Sequence, residues 1–255
     1  MPELPEVETI RKALEQGGRA GSAILGLRVS HANLFWEKTL AQPDKNEFQQ
    51  RIRGQQIQAI NRRAKYLDIG MEREHLLIHL RMSGDLRVED QTALLQPHDR
   101  LAVGFENGLR LVFNDPRKFG RAWLLHDPQE ILCPLGPAPL AAAFTPQLFY
   151  ERLKTRNRQL KPLLMDQSFL AGMGNIYTDE ALFLARLHPL SLASSLSFAQ
   201  AENLHTAIQA VLSEGIRRNG ASIDWVYRGG SFQNTFHVYG RKGASCTLCG
   251  TPVAR

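Results

Sequence analysis

The amino terminus of this 255-residue chain reads MPELPEVETIRK, with proline in the second position. A small second residue ordinarily permits removal of the initiator methionine, which would leave the secondary amine of Pro2 as the chain start. An α-amino group titrates at about 7.7–8.0, so roughly 10–20% is neutral at pH 7, against well under about 0.1% of a lysine. Burial, nearby cations and the positive end of a following helix push further towards the neutral amine. Attack of such an amine on an aldehyde-like carbon gives an iminium with no N–H proton to lose, so it stays positive and draws electrons. Glu3 and Glu6 are near enough in sequence to move protons. The same Pro-Glu-Leu-Pro also suits a stiff lead-in to a helix.

Two further constellations could bind ligands. Gly172-Met173-Gly174-Asn175 precedes a helix expected to begin near Tyr177. Glycines let backbone approach a phosphate, and a helix amino end favours an anion. The motif is short, and an ordinary turn has the same look. Cys246-x-x-Cys249 is the knuckle of a four-cysteine zinc site, which needs a second pair about 15–20 residues on. Six residues follow Cys249, Cys133 lies far upstream, and no histidine follows His237. Two thiolates do not fill a tetrahedral site, so this chain is expected to hold zinc weakly or not at all.

The charge balance points to a polyanion: 31 Lys and Arg against 25 Asp and Glu give a net +6. The cations cluster, with Arg51, Arg53, Arg62, Arg63 and Lys65 in one group and Lys154, Arg156, Arg158 and Lys161 in a second. Arg217, Arg218, Arg228, Arg241 and Lys242 form a third. Basic residues interleaved with apolar ones can track a phosphate backbone. A hydrophobic content of 43% and three cysteines exclude disorder and a disulfide scaffold. The acidic start lacks the features of a signal peptide, and no apolar run reaches the length of a membrane span, so a cytoplasmic location is expected.

The elements that must position these residues fall into two kinds. PEVETIRKALEQGG predicts a helix with Val7, Ile10 and Leu14 on one face and Gly17-Gly18 at its end. From about 22 to 133 the pattern is of strands. In RLAVGFENGLRLVFND, Leu101, Val103 and Phe105 alternate along one strand, and Leu109, Leu111 and Phe113 along the next. Asn107-Gly108 between them predicts a type I′ turn. CPLGPAPLAAAF reads as a linker. Helices follow, the clearest over SFAQAENLHTAIQAVLSEGIRRNG, with a Ser197/Gln200 capping box, a stripe of Leu204, Ile208, Val211 and Leu212, and a stop at Gly220. The tail after about 222 is loop and hairpin.

MPELPEVETIRK, RRAKYL (62–67), IHLRMSG (78–84), NDPRKFG (114–120), LKPLLMD (160–166), AGMGNIYTDEALF (171–183), HPLSLASSLS (188–197) and VYGRKGASCTLCG (238–250) occur in that order. Together they resemble bacterial formamidopyrimidine-DNA glycosylases over nearly the whole chain. The resemblance implies an α+β fold of two domains. These are an N-terminal β-sandwich with an N-terminal helix over 1–133 and, after a linker at 134–144, a helix-two-turn-helix domain over 145–235. Residues 236–255 would be an incomplete zinc-finger hairpin lacking its second cysteine pair, and 220–235 a mobile loop over the flipped base.

It further implies a monomeric base-excision repair enzyme that removes oxidised purines and cuts the strand by β,δ-elimination. Pro2 would be the nucleophile, Glu3 the general acid/base, Glu6 its assistant, and Lys65 the phosphate-binding lysine beside the active site. His79, Lys161 and Asn175 would contact phosphate. Met82, Arg117 and Phe119 would enter the gap left by the flipped lesion, although bulk alone would make Met82 and Phe119 core residues. Cys246 and Cys249 would be the zinc half-site. The alternatives are an endonuclease VIII-like enzyme for oxidised pyrimidines and a DNA-binding protein without turnover.

Overall fold

The computed structural model describes residues 1–222 and 229–254. The expected loop over 220–235 is therefore only partly covered, and its residues 223–228, Arg228 among them, lie outside the described residues. The chain divides into two compact units. Met1–Pro2 and Glu6–Cys133 belong to the first, and Glu3–Pro5, 134–222 and 230–254 to the second.

Helix α1 (Leu4–Gln16) forms over the predicted stretch. Val7, Ile10 and Leu14 are fully buried, and Gly17 ends the helix at φ +83°. Strands β1 (Val29–Leu34), β6 (Asp85–Asp90), β7 (Asp99–Phe105) and β8 (Leu109–Asn114) make an antiparallel sheet in the order β1-β7-β8-β6. Strands β2 (Leu40–Gln42), β3 (Ile57–Arg63), β4 (Tyr66–Met71), β5 (His75–His79) and β9 (Arg121–Leu125) make a second, in the order β2-β9-β5-β4-β3. Among the strands of the described residues, only β2 and β9 run parallel. Alternating apolar residues from both sheets, including Leu67, Ile69, Val103 and Phe113, fill one core with the buried face of α1.

Two local expectations are corrected. The β7–β8 turn is not type I′: Gly108 has φ +85° but Asn107 is not in the left-handed region. Glu106, Asn107 and Gly108 form a three-residue loop closed by the Gly108 N–H on the Phe105 carbonyl (3.3 Å), so a single left-handed glycine suffices. Within the stretch read as strands lies a helix, α2 (Lys45–Ile52). Asp44 caps it by accepting from the Asn46 and Glu47 N–H groups, and Phe48 and Ile52, four apart, bury its inner face. A short helix, α3 (Gln129–Leu132), closes this unit.

The second unit is helical, with α4 (Pro146–Lys154), α5 (Leu160–Leu164), α6 (Asn175–Leu184) and α7 (Phe198–Arg217). Helix α6 starts two residues before the expected Tyr177. The capping box of α7 is present, and Leu204, Ile208, Val211 and Leu212 are buried as read. Residues 243–253 form a tight loop around a Ser245–Pro252 bridge. Among the described residues no helix is long and apolar enough to cross a membrane.

Several members of the basic clusters pair with carboxylates of the protein. Arg51 pairs with Glu74 and Glu47, and Arg62 with Glu8. Arg158 pairs with Asp166, and both Arg217 and Arg218 with Glu214. Some of these carboxylates lie within one helical turn, as Glu47 and Glu214 do, and others come from remote segments, as Glu8 and Glu74 do.

Candidate active site and nucleic-acid interface

Pro2, Glu3 and Glu6 are all buried, Glu3 to 1% and Glu6 to 2% exposure. Burying a carboxylate is costly without hydrogen bonds. Glu3 Oε1 accepts the Ile176 N–H at 2.9 Å, in the first turn of α6, where unsatisfied backbone donors point outward. The glycines before α6 make room for this seat. A Cβ at Gly174 would lie 2.3 Å from Glu3 Cδ, and one at Gly172 would lie 2.6 Å from Leu4 Cδ1. Gly172 also has φ +111°, and its carbonyl accepts the Leu4 N–H at 3.2 Å. The glycine motif read as a phosphate loop thus cradles the residues that follow Pro2. Asn175, the first residue of α6, is half-buried.

In the first unit, Ala64 and Lys65 form the two-residue turn from β3 to β4. Lys65 is 5% exposed, which removes the reading of it as a solvated strand residue. On the neighbouring β5, His79 is 7% exposed and meets the Tyr66 ring edge-on at 4.6 Å. Burial, followed by the charges of Arg81 and Lys65, lowers its pKa to about 3. Its Nδ1 accepts the Arg81 N–H at 3.0 Å, so the neutral ring carries its proton on Nε2 and offers a donor.

This has a consequence for stability. Unfolded histidine takes up its proton below about pH 6.5, whereas folded His79 stays neutral until about pH 3. The unfolded state therefore binds more protons between these values, and stability falls as pH drops through the window, by up to about 5 kcal/mol over its whole width. His79→Asn, whose amide oxygen can still accept the Arg81 N–H, should remove that share. The check is the urea midpoint of both proteins at pH 7 and pH 4, and an equal acid loss in the two would contradict it.

Met82, Arg117 and Phe119 stand out from two neighbouring loops. Met82 is 39% and Phe119 50% exposed, so neither is a core residue. The Arg117 guanidinium lies 5.0 Å from the Phe119 ring centroid. Between them in sequence, Lys118 sits over the Trp36 ring at 4.1 Å. An apolar wedge, a planar ring and a forked donor are the groups needed to replace a lost base's stacking and hydrogen bonds. The sequence reading passed over His98 and Arg100 beside this loop. His98, at φ +78°, accepts the Asp115 N–H through its carbonyl at 2.9 Å, and Arg100 Nε donates to the Asp115 carbonyl at 2.8 Å. The available signal was His-Asp-Arg at the start of a hairpin strand.

In the second unit, Lys161, Asn175, Cys246 and Cys249 line one cavity of about 820 Å³. Lys161 is engaged there by Asp179, at 2.7 Å. The Leu248 N–H points at Cys246 Sγ (3.4 Å), and a hydrogen bond from the Thr251 side chain lowers the Cys249 pKa. Two sulfurs make half of a tetrahedral set. Among the described residues no group of three or more His, Cys, Asp or Glu side chains could hold a metal ion, so the residues present do not fit a closed zinc centre.

Glu180, also missed in the sequence, holds the start of this segment. It is 1% exposed and accepts the N–H groups of His237, Val238 and Tyr239 at 2.9–3.0 Å, and His237 Nδ1 at 3.0 Å. The ring of His237 also stacks on Phe183 at 5.2 Å. Glu180→Ala would strand three backbone donors and should cost about 3 kcal/mol or more. Limited proteolysis is expected to cut the variant near 236–240 under conditions that spare the parent, and equal resistance would count against this anchor.

Comparison with known proteins follows the same two units. Residues 1–122 match the formamidopyrimidine-DNA glycosylase N-terminal domain and residues 135–226 its H2TH domain. The formamidopyrimidine-DNA glycosylase of Chloroflexus aurantiacus is 45% identical over all of this chain and 92% of its own length. That of Protochlamydia amoebophila is 40% identical over 98% of this chain and 92% of its own. Among solved structures, Lactococcus lactis Fpg in complex with a Fapy-dG containing DNA has a TM-score of 0.91 at 33% identity, covering 99% of this chain and 93% of that one. The same relative with an abasic site containing DNA gives 0.91 at 33%, with the same coverage.

Proposed function

The chain belongs to the formamidopyrimidine-DNA glycosylase family, and from that premise we propose that it excises oxidised purines from duplex DNA and then cuts the strand as an abasic-site lyase. With Met1 attached the Pro2 nitrogen is an amide, and removal of Met1 frees the secondary amine. The amine attacks C1′ of the damaged nucleotide as the base leaves, and the sugar ring opens to an iminium, with Glu3 moving the protons and Glu6 assisting. The iminium acidifies the C2′ hydrogens. Loss of one expels the 3′ phosphate, and δ-elimination then releases the 5′ phosphate. Lys65 and the Nε2–H of His79 hold phosphate, joined by Asn175 and by Lys161 once it leaves Asp179. Met82, Arg117 and Phe119 occupy the gap left by the flipped nucleotide.

The observation that carries this reading is the seat of Glu3. The carboxylate of the residue that follows Pro2 in sequence is buried and held by the Ile176 N–H, in a space that Gly174 keeps open. Product analysis tests it, using one duplex with 8-oxoguanine opposite cytosine and another with an oxidised pyrimidine. Base release with β,δ-elimination ends on the first is the expected result. Preferential cutting of the second would move the chain to the endonuclease VIII-like reading.

No catalytic step needs zinc. We propose that Cys246 and Cys249, as two ligands, retain it weakly. Metal analysis after dialysis should find well under one zinc per chain, and one firmly held equivalent would refute this.

A further inference from the structure

The three gap-filling side chains come from separate stretches of the first unit, Met82 from 80–84 and Arg117 and Phe119 from 115–120. Both stretches converge on one buried carboxylate. Asp115 is 1% exposed, and its Oδ1 accepts from the hydroxyl of Ser83, itself 4% exposed. The Arg117 N–H is shared between Asp115 Oδ1 and Ser83 Oγ, 3.2 Å from each, and the Gly120 N–H reaches Asp115 Oδ2 at 2.7 Å. The bonds that Asp115 accepts from Arg117 and Gly120 are local and would only shape a turn, whereas the Arg117 N–H also reaches Ser83 across 34 residues. The bond to Ser83 spans 32 residues and ties one loop to the other.

The loops also share a floor. Phe113 is 1% exposed, and a Cβ at Gly84 would come within 2.7 Å of its ring, one at Gly120 within 2.3 Å. Both loops therefore lie against the same ring at a distance only glycine permits.

We propose that Asp115 and Ser83 are positioning residues that lock the Met82 loop to the Arg117–Phe119 loop, so that all three side chains enter the duplex as one preformed wedge. This rests on the gap-filling reading given above. Preforming the wedge removes the ordering cost of two loops at the moment of base flipping, and it fixes where Arg117 meets the opposite base. A carboxylate accepts on both oxygens and an amide on one, so Asp115→Asn breaks the set without changing its size.

The test compares Ser83→Ala, Ser83→Thr, Asp115→Asn and Phe119→Ala with the parent, under conditions where circular dichroism shows each folded. Single-turnover rates are measured on 8-oxoguanine duplexes with cytosine or adenine opposite, and on a single strand with a preformed abasic site. Ser83→Ala and Asp115→Asn are expected to lower the duplex-to-single-strand rate ratio at least tenfold and to weaken the preference for cytosine. Ser83→Thr, which keeps the hydroxyl, should stay within threefold of the parent. Should Asp115→Asn not fold, Ser83→Ala decides. Equal losses on both substrates would mean a structural role only and overturn the proposal. A parental ratio in Ser83→Ala and Asp115→Asn, with Phe119→Ala impaired, would overturn the lock alone. A parental ratio in Phe119→Ala would overturn the gap-filling reading itself.

Discussion

A chain that keeps Met1, or carries any residue before Pro2, is expected to form no borohydride-trapped adduct with an 8-oxoguanine duplex and to lose roughly 10³-fold or more of its cutting rate, because an amide nitrogen has its lone pair in resonance and is no nucleophile. Pro2→Gly should behave differently. It still offers an α-amine of about the same pKa, so some adduct should remain. Its iminium, however, carries an N–H proton that can be lost, which quenches the positive charge that drives elimination. A fall of roughly 10²-fold in strand cutting, with partial trapping, is the expected pattern. Mass mapping of the adduct decides the matter. An adduct on the peptide carrying Lys65, the buried turn lysine, would remove Pro2 from the mechanism altogether.

The elements were easier to read from the sequence than the contacts that tune the site. Helix α1 and the capping box of α7 were legible because each is set by residues a few positions apart: an apolar stripe, a cap, a terminal glycine. The Asn107-Gly108 turn shows how little slack local chemistry leaves, since one more residue in the loop moves the left-handed demand onto glycine alone. Helix α2 was lost in a stretch of strands, though Asp44 and the Phe48/Ile52 pair were signals for it. Exposure of Met82 and Phe119 could not be read from residue type, because the same bulky side chains are equally at home in a core. Nor could the fate of the cations. Arg62 meets Glu8 and Arg51 meets Glu74 only after the sheets form. Buried acceptors such as Asp115 and Glu180 escape a motif search for the same reason, as each takes a donor from another segment, the Ser83 hydroxyl for Asp115 and the backbone N–H groups of 237–239 for Glu180. Glu180 did leave a trace: it lies four residues after Ile176 and three after Tyr177, on the buried face of α6.

The seat of Glu3 allows its chemical and its positional contributions to be separated. Glu3→Gln keeps an oxygen to accept the Ile176 N–H, now 2.9 Å from Oε1, so the fold should survive while proton transfer does not. Base excision should fall by roughly 10²–10⁴-fold, the usual range for losing a general acid/base. Cutting at a preformed abasic site should fall less, since its aldehyde needs no departing base. Gly174→Ala leaves the carboxyl group intact and moves it. The added Cβ would stand 2.3 Å from Glu3 Cδ and 2.5 Å from Oε1, and the least costly relief is for the carboxylate to swing off the Ile176 N–H. Gly174 itself has φ −134°, which alanine adopts freely, so backbone strain adds nothing. The expected result is excision slowed by about tenfold or more with a thermal midpoint close to the parent's, as geometry at a reacting centre governs rate more steeply than stability. Parental excision by Gly174→Ala would mean that the position of Glu3 is not critical. A large fall in thermal midpoint would mean instead that the glycine serves the packing of α6.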